Sequence, residues 1–225
     1  MTDGRDLDVW LIDVRDEDFL ALAETTLPDA KDRARADGLT NPEAGRTLLA
    51  RRAAVKVVLA RTLSLDPSSI RVVTAPGGKP VAVTPEGRAP AISIAHSGDL
   101  LGVALGPVRS LGLDVERMRQ VTKAREIAAK WFGPGEAARL DEVSEGELMD
   151  EFMRLWTGKE ALAKRHGAGL RLMKGEPGEL DVGDAIEQGR LRYFDVRAGY
   201  VAAIASTEPL RDIRVVHAEA DTWTI

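Results

Sequence analysis

The 225-residue chain contains no cysteine, which removes disulfides, thiolate metal sites and a cysteine nucleophile together. It also lacks a G-x-S-x-G elbow, so a Ser-His-Asp hydrolase is set aside, and it has neither a Walker A nor a G-x-G-x-x-G phosphate loop. Aromatic residues make up only 4%. No uncharged stretch approaches the roughly 18 residues of a membrane span, and no membrane partner is expected. The opening MTDGRDLDVWLIDV interleaves acids with apolar residues, unlike a signal peptide, and a cytoplasmic protein is expected. Excess basic charge is missing too. Lys and Arg total 31 against 36 Asp and Glu, net −5, a poor balance for sequence-independent nucleic-acid binding. Any anionic ligand therefore needs a local basic cluster.

What remains is globular, 44% apolar and 30% charged, long enough for one large domain or two small ones. Residues 9–14 read as a strand, 16–26 as a helix closed by Pro28, and 31–35 as a further helix or mobile loop. The clearest helix is 43–63, with Leu48, Val55, Leu59 and Leu63 on one stripe and Arg46, Arg51, Arg52, Lys56 and Arg61 on other faces. Strands follow near 70–74 and 81–84, around the turn Gly77-Gly78-Lys79-Pro80, then at 91–95, 101–105 and 111–116. Helices are expected at 122–131, 135–143 and 147–167, and strands near 190–197, 200–206 and 212–217. The order is mixed, which favours α+β over a doubly wound sheet. Pro107–Arg109 is the plausible seam between an N-terminal half, 1–108, and a C-terminal half, 109–225.

Three constellations carry chemistry. In GLDVE (112–116), period 2 points Asp114 and Glu116 to one face and Leu113 and Val115 to the core. Two carboxylates side by side suit a hard cation such as Mg²⁺, or they mark an exposed strand end. In WTGKEALAK (156–164), Trp156, Glu160 and Lys164 share a helix face at i, i+4 and i+8, the spacing of an ordinary Glu–Lys pair as well. Gly158 weakens a helix interior and could mark its start. The basic set is Lys31, Arg46, Lys56, Lys79 and His96. Lys79 on its tight turn suits a phosphate or simply solubilises a hairpin tip. His96 is a ligand contact or a hydrogen-bonded structural residue. The other two histidines, His166 and His217, have no metal-ligand spacing.

In chain order, GGKP (77–80), ISIAHSG (92–98), GLDVE (112–116), WFGPGEAARL (131–140) and LWTGKEALAKRHGAGL (155–170) resemble the Sfp-type 4′-phosphopantetheinyl transferases. GRTLLARRAAVKVVLAR (45–61) fits that family's N-terminal arginine-containing helix. The resemblance implies an α+β fold of two similar halves related by a pseudo-two-fold axis, with coenzyme A bound between them. It implies transfer of the phosphopantetheine arm to a serine of an apo acyl or peptidyl carrier protein, releasing 3′,5′-ADP, in fatty-acid, polyketide or nonribosomal-peptide synthesis. By position it implies Asp114, Glu116 and Glu160 as Mg²⁺ ligands, and Lys31, Arg46, Thr47, Lys79 and His96 as contacts to the coenzyme's phosphates. Glu160 would be the general base, directly or through water, and Lys164 would steady the pyrophosphate. Asp114, Glu160 and Lys164 thus form the expected catalytic set. The family often has Asn and Ser where this chain has Ser93 and Ala95, so one hydroxyl contact to the coenzyme is in question. Internal duplication favours a monomer. The competing readings are a non-catalytic coenzyme-A-binding or carrier-docking protein, and another Mg²⁺-dependent phosphoryl or nucleotidyl transferase.

Overall fold

Alternation in the first strand shows where the layers meet. In β1 (Leu7–Asp13), Leu7, Val9 and Leu11 face one apolar cluster while Trp10 and Ile12 face another. A strand apolar on both faces lies between two packed layers. These observations come from a computed structural model that describes residues 7–25, 30–75, 78–87, 90–167 and 180–219.

β5 (Leu100–Gly106) runs antiparallel to β1, pairing Val9 with Ala104 and Leu11 with Gly102. β4 (Ala91–Ser97) joins it through the two-residue turn Gly98-Asp99. Gly98 sits at φ 54°, the positive-φ first position that a type II′ hairpin reserves for glycine. β9 (Ile213–His217) returns from the far end of the chain to pair parallel with β1, giving the order β4-β5-β1-β9. The long helix α3 (Pro42–Leu63) covers one face of this sheet with Ala50, Ala53, Ala54, Val57 and Val58. It starts cleanly because the Asn41 side chain accepts from Glu43 N at 3.0 Å and Pro42 occupies the first turn. α1 (Glu17–Thr25) and α2 (Ala30–Asp37) lie against α3.

The second sheet is antiparallel, in the order β6-β8-β7: β6 (Leu111–Arg117), β7 (Leu191–Tyr193) and β8 (Tyr200–Ser206). Leu113 and Val115 from β6 and Ala202 and Ile204 from β8 meet Leu7, Val9 and Leu11, so the sheets pack face to face. A Cβ on Gly102 would stand 2.8 Å from the Leu113 side chain, a measure of how closely they approach. The helix α6 (Leu148–His166) covers the outer face of the second sheet, with α4 (Ala124–Trp131), α5 (Pro134–Glu142) and α7 (Val182–Glu187) around it. The layers run helix, sheet, sheet, helix. A two-stranded ribbon, β2 (Arg71–Thr74) with β3 (Pro80–Val83), is hydrogen-bonded to neither sheet and packs Ala82 into the core beneath α3.

Helices and sheets follow one another without a βαβ rhythm, so the fold is α+β, as the mixed order implies. Segment 31–35 is helical, within α2. The strand expected at 190–197 is paired only over Leu191–Tyr193. The six-residue α7 escapes periodicity because it is too short for a full apolar repeat; Asp181 caps it by accepting from Asp184 N at 2.9 Å. Gly158 lies in the middle of α6, not at its start. A Cβ there would sit 2.5 Å from the Tyr193 hydroxyl and 3.1 Å from Val182, so glycine is required by packing rather than by a helix boundary. No helix among the described residues is long and apolar enough to cross a membrane.

Candidate active site

The site begins with a glycine. β6 turns Leu111, Leu113 and Val115 to the inter-sheet core, which leaves Gly112, Asp114 and Glu116 on the face toward α6. A Cβ on Gly112 would lie 1.8 Å from the Ala161 carbonyl oxygen and 2.4 Å from Arg165 N. The α6 backbone therefore lies directly on β6, and the next outward residue, Asp114, comes within reach of α6 side chains. Lys164 donates from Nζ to Asp114 Oδ1 at 2.6 Å.

Asp114 is 4% exposed, and its Oδ2 is buried with no hydrogen-bond partner. Burial pushes its carboxyl up to about 7 against the pull of Lys164, with Glu116 and Glu160 adding repulsion. Glu160 is likewise raised, by burial first, with Lys164 opposing and Glu116 adding to it. The three acids thus share one electrostatic neighbourhood. They do not converge on a point: among the described residues no three Asp, Glu or His side chains form a ligand set for an ion. Asp114 Oδ1 is turned to Lys164, and Glu116 Oε2 accepts from the Ser97 hydroxyl at 2.7 Å.

β4 links this cluster to the other half. Its odd positions Ser93, Ala95 and Ser97 face β6, while Ile92 and Ile94 pack toward α3 and place His96 on that side. Partial burial lowers the His96 imidazole below its ordinary value, and the positive charges of Arg51 and Lys164 lower it further. His96 therefore feels the charge of Arg51 on α3 and of Lys164 on α6.

Beyond it opens a cavity of about 1050 Å³ between α1, α2, α3 and the β4–β5 turn, lined among others by Arg33, Arg46, Thr47, Arg51, Gly98 and Asp99. Arg46 and Thr47 are where the resemblance implies coenzyme contacts. Thr47 and Arg51 are four residues apart on α3, so both face the cavity. The Arg51 Nε is buried without a hydrogen-bond partner, and burial lowers its guanidinium. The sequence places Arg51 only on a face of its helix away from the apolar stripe; its i+4 relation to Thr47 is the signal that could assign it to the cavity. Arg33 was missed as well.

Three basic candidates fall elsewhere. Lys31 is exposed on α2 and is not among the cavity's lining residues. Lys56 is 5% exposed, on the buried side of α3. Lys79 donates to Ser110 Oγ, to the Leu111 carbonyl at 2.9 Å and to the Arg165 carbonyl at 3.0 Å. An ammonium has three donors, so in this structure Lys79 is a clamp on the end of α6 and the start of β6, not a free phosphate contact. Burial pulls it down to about 8, with Arg165 contributing.

The K-E pair of the W-T-x-K-E motif divides its labour. Lys159, 2% exposed, donates to Leu180 O at 2.9 Å and pairs with Glu136 at 2.6 Å. Glu136 in turn accepts from Gly133 N at 2.9 Å and Val182 N at 3.0 Å, which caps α5 and holds the start of α7. Lys159 anchors the helix, and Glu160 beside it faces the acid cluster.

The family model of the 4′-phosphopantetheinyl transferase superfamily matches residues 110–198, the segment that carries Asp114, Glu116, Glu160 and Lys164. That match covers less than half of the chain. Curated relatives extend the likeness beyond that segment. It is 30% identical over 144 residues to a putative 4′-phosphopantetheinyl transferase of Synechocystis, slr0495, covering 64% of this chain and 58% of that protein. It is 29% identical to the Sfp transferase of Bacillus subtilis, covering 74% of this chain and 76% of Sfp. With AcpT of Escherichia coli O157:H7 it shares 34% identity, over 50% of this chain and 55% of AcpT. The chain thus spans little more than half the length of the Synechocystis and Escherichia relatives it matches.

Proposed function

We propose that this protein transfers the 4′-phosphopantetheine arm of coenzyme A to a serine hydroxyl of an apo acyl or peptidyl carrier protein, with Mg²⁺, releasing 3′,5′-ADP. One observation carries the reading: the Asp114–Lys164–Glu160 cluster, inside the segment that the superfamily model matches, is joined through the Ser97–Glu116 hydrogen bond to the strand whose Gly98-Asp99 turn lines a cavity that also holds Arg33, Arg46 and Arg51 beside Glu17 and Glu43. A donor with a phosphorylated nucleotide at one end and a reacting pyrophosphate at the other matches that layout.

In the transfer, the serine oxygen bonds to the pantetheine-side phosphorus and the pyrophosphate P–O bond breaks. The leaving 3′,5′-ADP takes the bonding electrons. Arg46 and Thr47 anchor the nucleotide end in the cavity, while His96 and Lys164 meet pyrophosphate oxygens, a positioning role that carries much of phosphoryl-transfer catalysis. Glu160 accepts the serine proton, directly or through a water. Asp114, Glu116 and Glu160 offer the all-oxygen donor set of a hard cation, and the unpartnered buried Oδ2 of Asp114 fits one. Bound there, Mg²⁺ would neutralise charge on the pyrophosphate. Because one chain supplies both the cavity and the acids, we take the working unit to be a monomer of two halves, 1–108 and 109–225, in which β9 of the second returns to pair with β1 of the first.

The deciding experiment is mass spectrometry of purified apo carrier proteins after incubation with this protein, coenzyme A and Mg²⁺. A mass increase of one phosphopantetheine, absent with Glu160→Gln, is expected. Coenzyme binding with no carrier of any class modified would overturn the transferase reading.

A further inference from the structure

We infer that Ser97 is a positioning residue of this site, fixing the Glu116 carboxylate and the end of β6 against the strand that carries His96; the inference rests on the transferase reading above. β4 is an edge strand of the four-stranded sheet and β6 an edge strand of the three-stranded one, so no ladder of backbone bonds joins them. Two serine hydroxyls do so instead. Ser93 Oγ accepts from Leu113 N at 2.8 Å, and Ser97 Oγ accepts from Arg117 N at 3.1 Å. The spacing is four residues in both strands, so the two rungs set one register between the halves.

The rungs differ in what they hold. Ser93 is buried and satisfies a buried backbone N–H, a contribution to stability. Ser97 spends its single proton on Glu116 Oε2 at 2.7 Å while still accepting from Arg117. A hydroxyl that donates to a carboxylate and accepts from the next residue's amide defines both the place and the rotation of that carboxylate. Ser97 also adjoins His96 in sequence and the cavity-lining Gly98-Asp99 turn. It therefore transmits the position of the cavity to the acid cluster.

The test compares Ser97→Ala, Ser97→Thr and the structural control Ser93→Ala in the full-length protein. Ser97→Ala is expected to lower kcat about tenfold, the scale of one hydrogen bond to a charged group, with KM for coenzyme A within about twofold of wild type. Ser97→Thr, which keeps the hydroxyl, restores kcat. Ser93→Ala lowers the thermal midpoint more than Ser97→Ala does, yet keeps kcat where it is folded. Amide hydrogen exchange reads the bond itself: Arg117 exchanges faster in Ser97→Ala and normally in Ser97→Thr. Unchanged Arg117 exchange in Ser97→Ala overturns the inference whatever the activity, as does full kcat in Ser97→Ala or a Ser97→Thr variant as slow as Ser97→Ala. A wild-type protein that modifies no carrier overturns the transferase reading instead.

Discussion

Lys164 on α6 and Asp114 on β6 form a partly buried ion pair, 2.6 Å from Nζ to Oδ1, and Gly112 makes the contact possible. With any side chain at residue 112, the helix could not lie close enough for a lysine to bend onto the strand's second outward position. The pair thus depends on a residue that has no chemistry of its own.

Gly112→Ala is expected to cost about 3 kcal/mol or more, at the upper end of overpacking substitutions, because the added carbon meets backbone atoms of Ala161 and Arg165. Urea unfolding measures the loss. A variant as stable as wild type would show that α6 can retreat from β6 without penalty.

The buried Lys159–Glu136 pair should behave as a unit. Lys159→Met leaves Glu136 charged in the core and is expected to cost about 3–5 kcal/mol, the range for breaking a buried pair from one side. Adding Glu136→Gln removes the stranded charge while keeping an acceptor for the α5 and α7 amides. The double variant is therefore expected to be more stable than Lys159→Met alone; strict additivity in a double-mutant cycle would sink the idea.

Acid stability should depend on Asp13. Its hydrogen bond from the Arg15 side chain, with Arg197 adding, holds the carboxyl well below the usual range. A depressed folded-state pKa means that the unfolded chain binds the proton first. The group's contribution is then complete above the ordinary carboxylate pKa of about 4 and is lost as pH falls below it. Asp13→Asn is expected to flatten the fall of urea midpoints with pH in that window. Parallel curves for the two proteins would remove Asp13 from the account.

Arg51 should matter for coenzyme binding more than for folding. Its cavity-facing guanidinium has a buried Nε without an acceptor, so a ligand phosphate would satisfy a group that the free protein leaves unpaired. Arg51→Gln is expected to weaken coenzyme A binding about tenfold by titration calorimetry, the effect of losing one charge-assisted bond, with a thermal midpoint near that of wild type. Equal affinities would place the phosphates elsewhere.

Much of the fold was legible because its elements obey their own periods. The 3.6-residue apolar stripe marks α3, observed at 42–63 against 43–63 from sequence, and the two-residue period of GLDVE gives the outward parity of Asp114 and Glu116. α7 and the shortened β7 were not legible: six and three residues are too few for a period to accumulate. Within the site, Glu160, Lys164 and Asp114 come together, whereas Lys79 gives its donors to Ser110, Leu111 and Arg165 and Lys56 lies on the buried side of α3. A lysine's charge is visible in a sequence, but the carbonyls that consume its donors come from distant segments.

An acidic chain of net −5 needs a local basic cluster to hold an anion, and the sequence alone determined that need and the side chains able to meet it. It also determined the local geometry, through strand parity and helix spacing. Only the tertiary structure decided which charges are available. It put Arg51 and Arg46 into one cavity, committed Lys79 to the end of α6, and brought Ser97 and Lys164 to carboxylates on β6. The reason is physical: which groups lose water, and which partner replaces it, depends on segments that meet only when two sheets and two long helices pack.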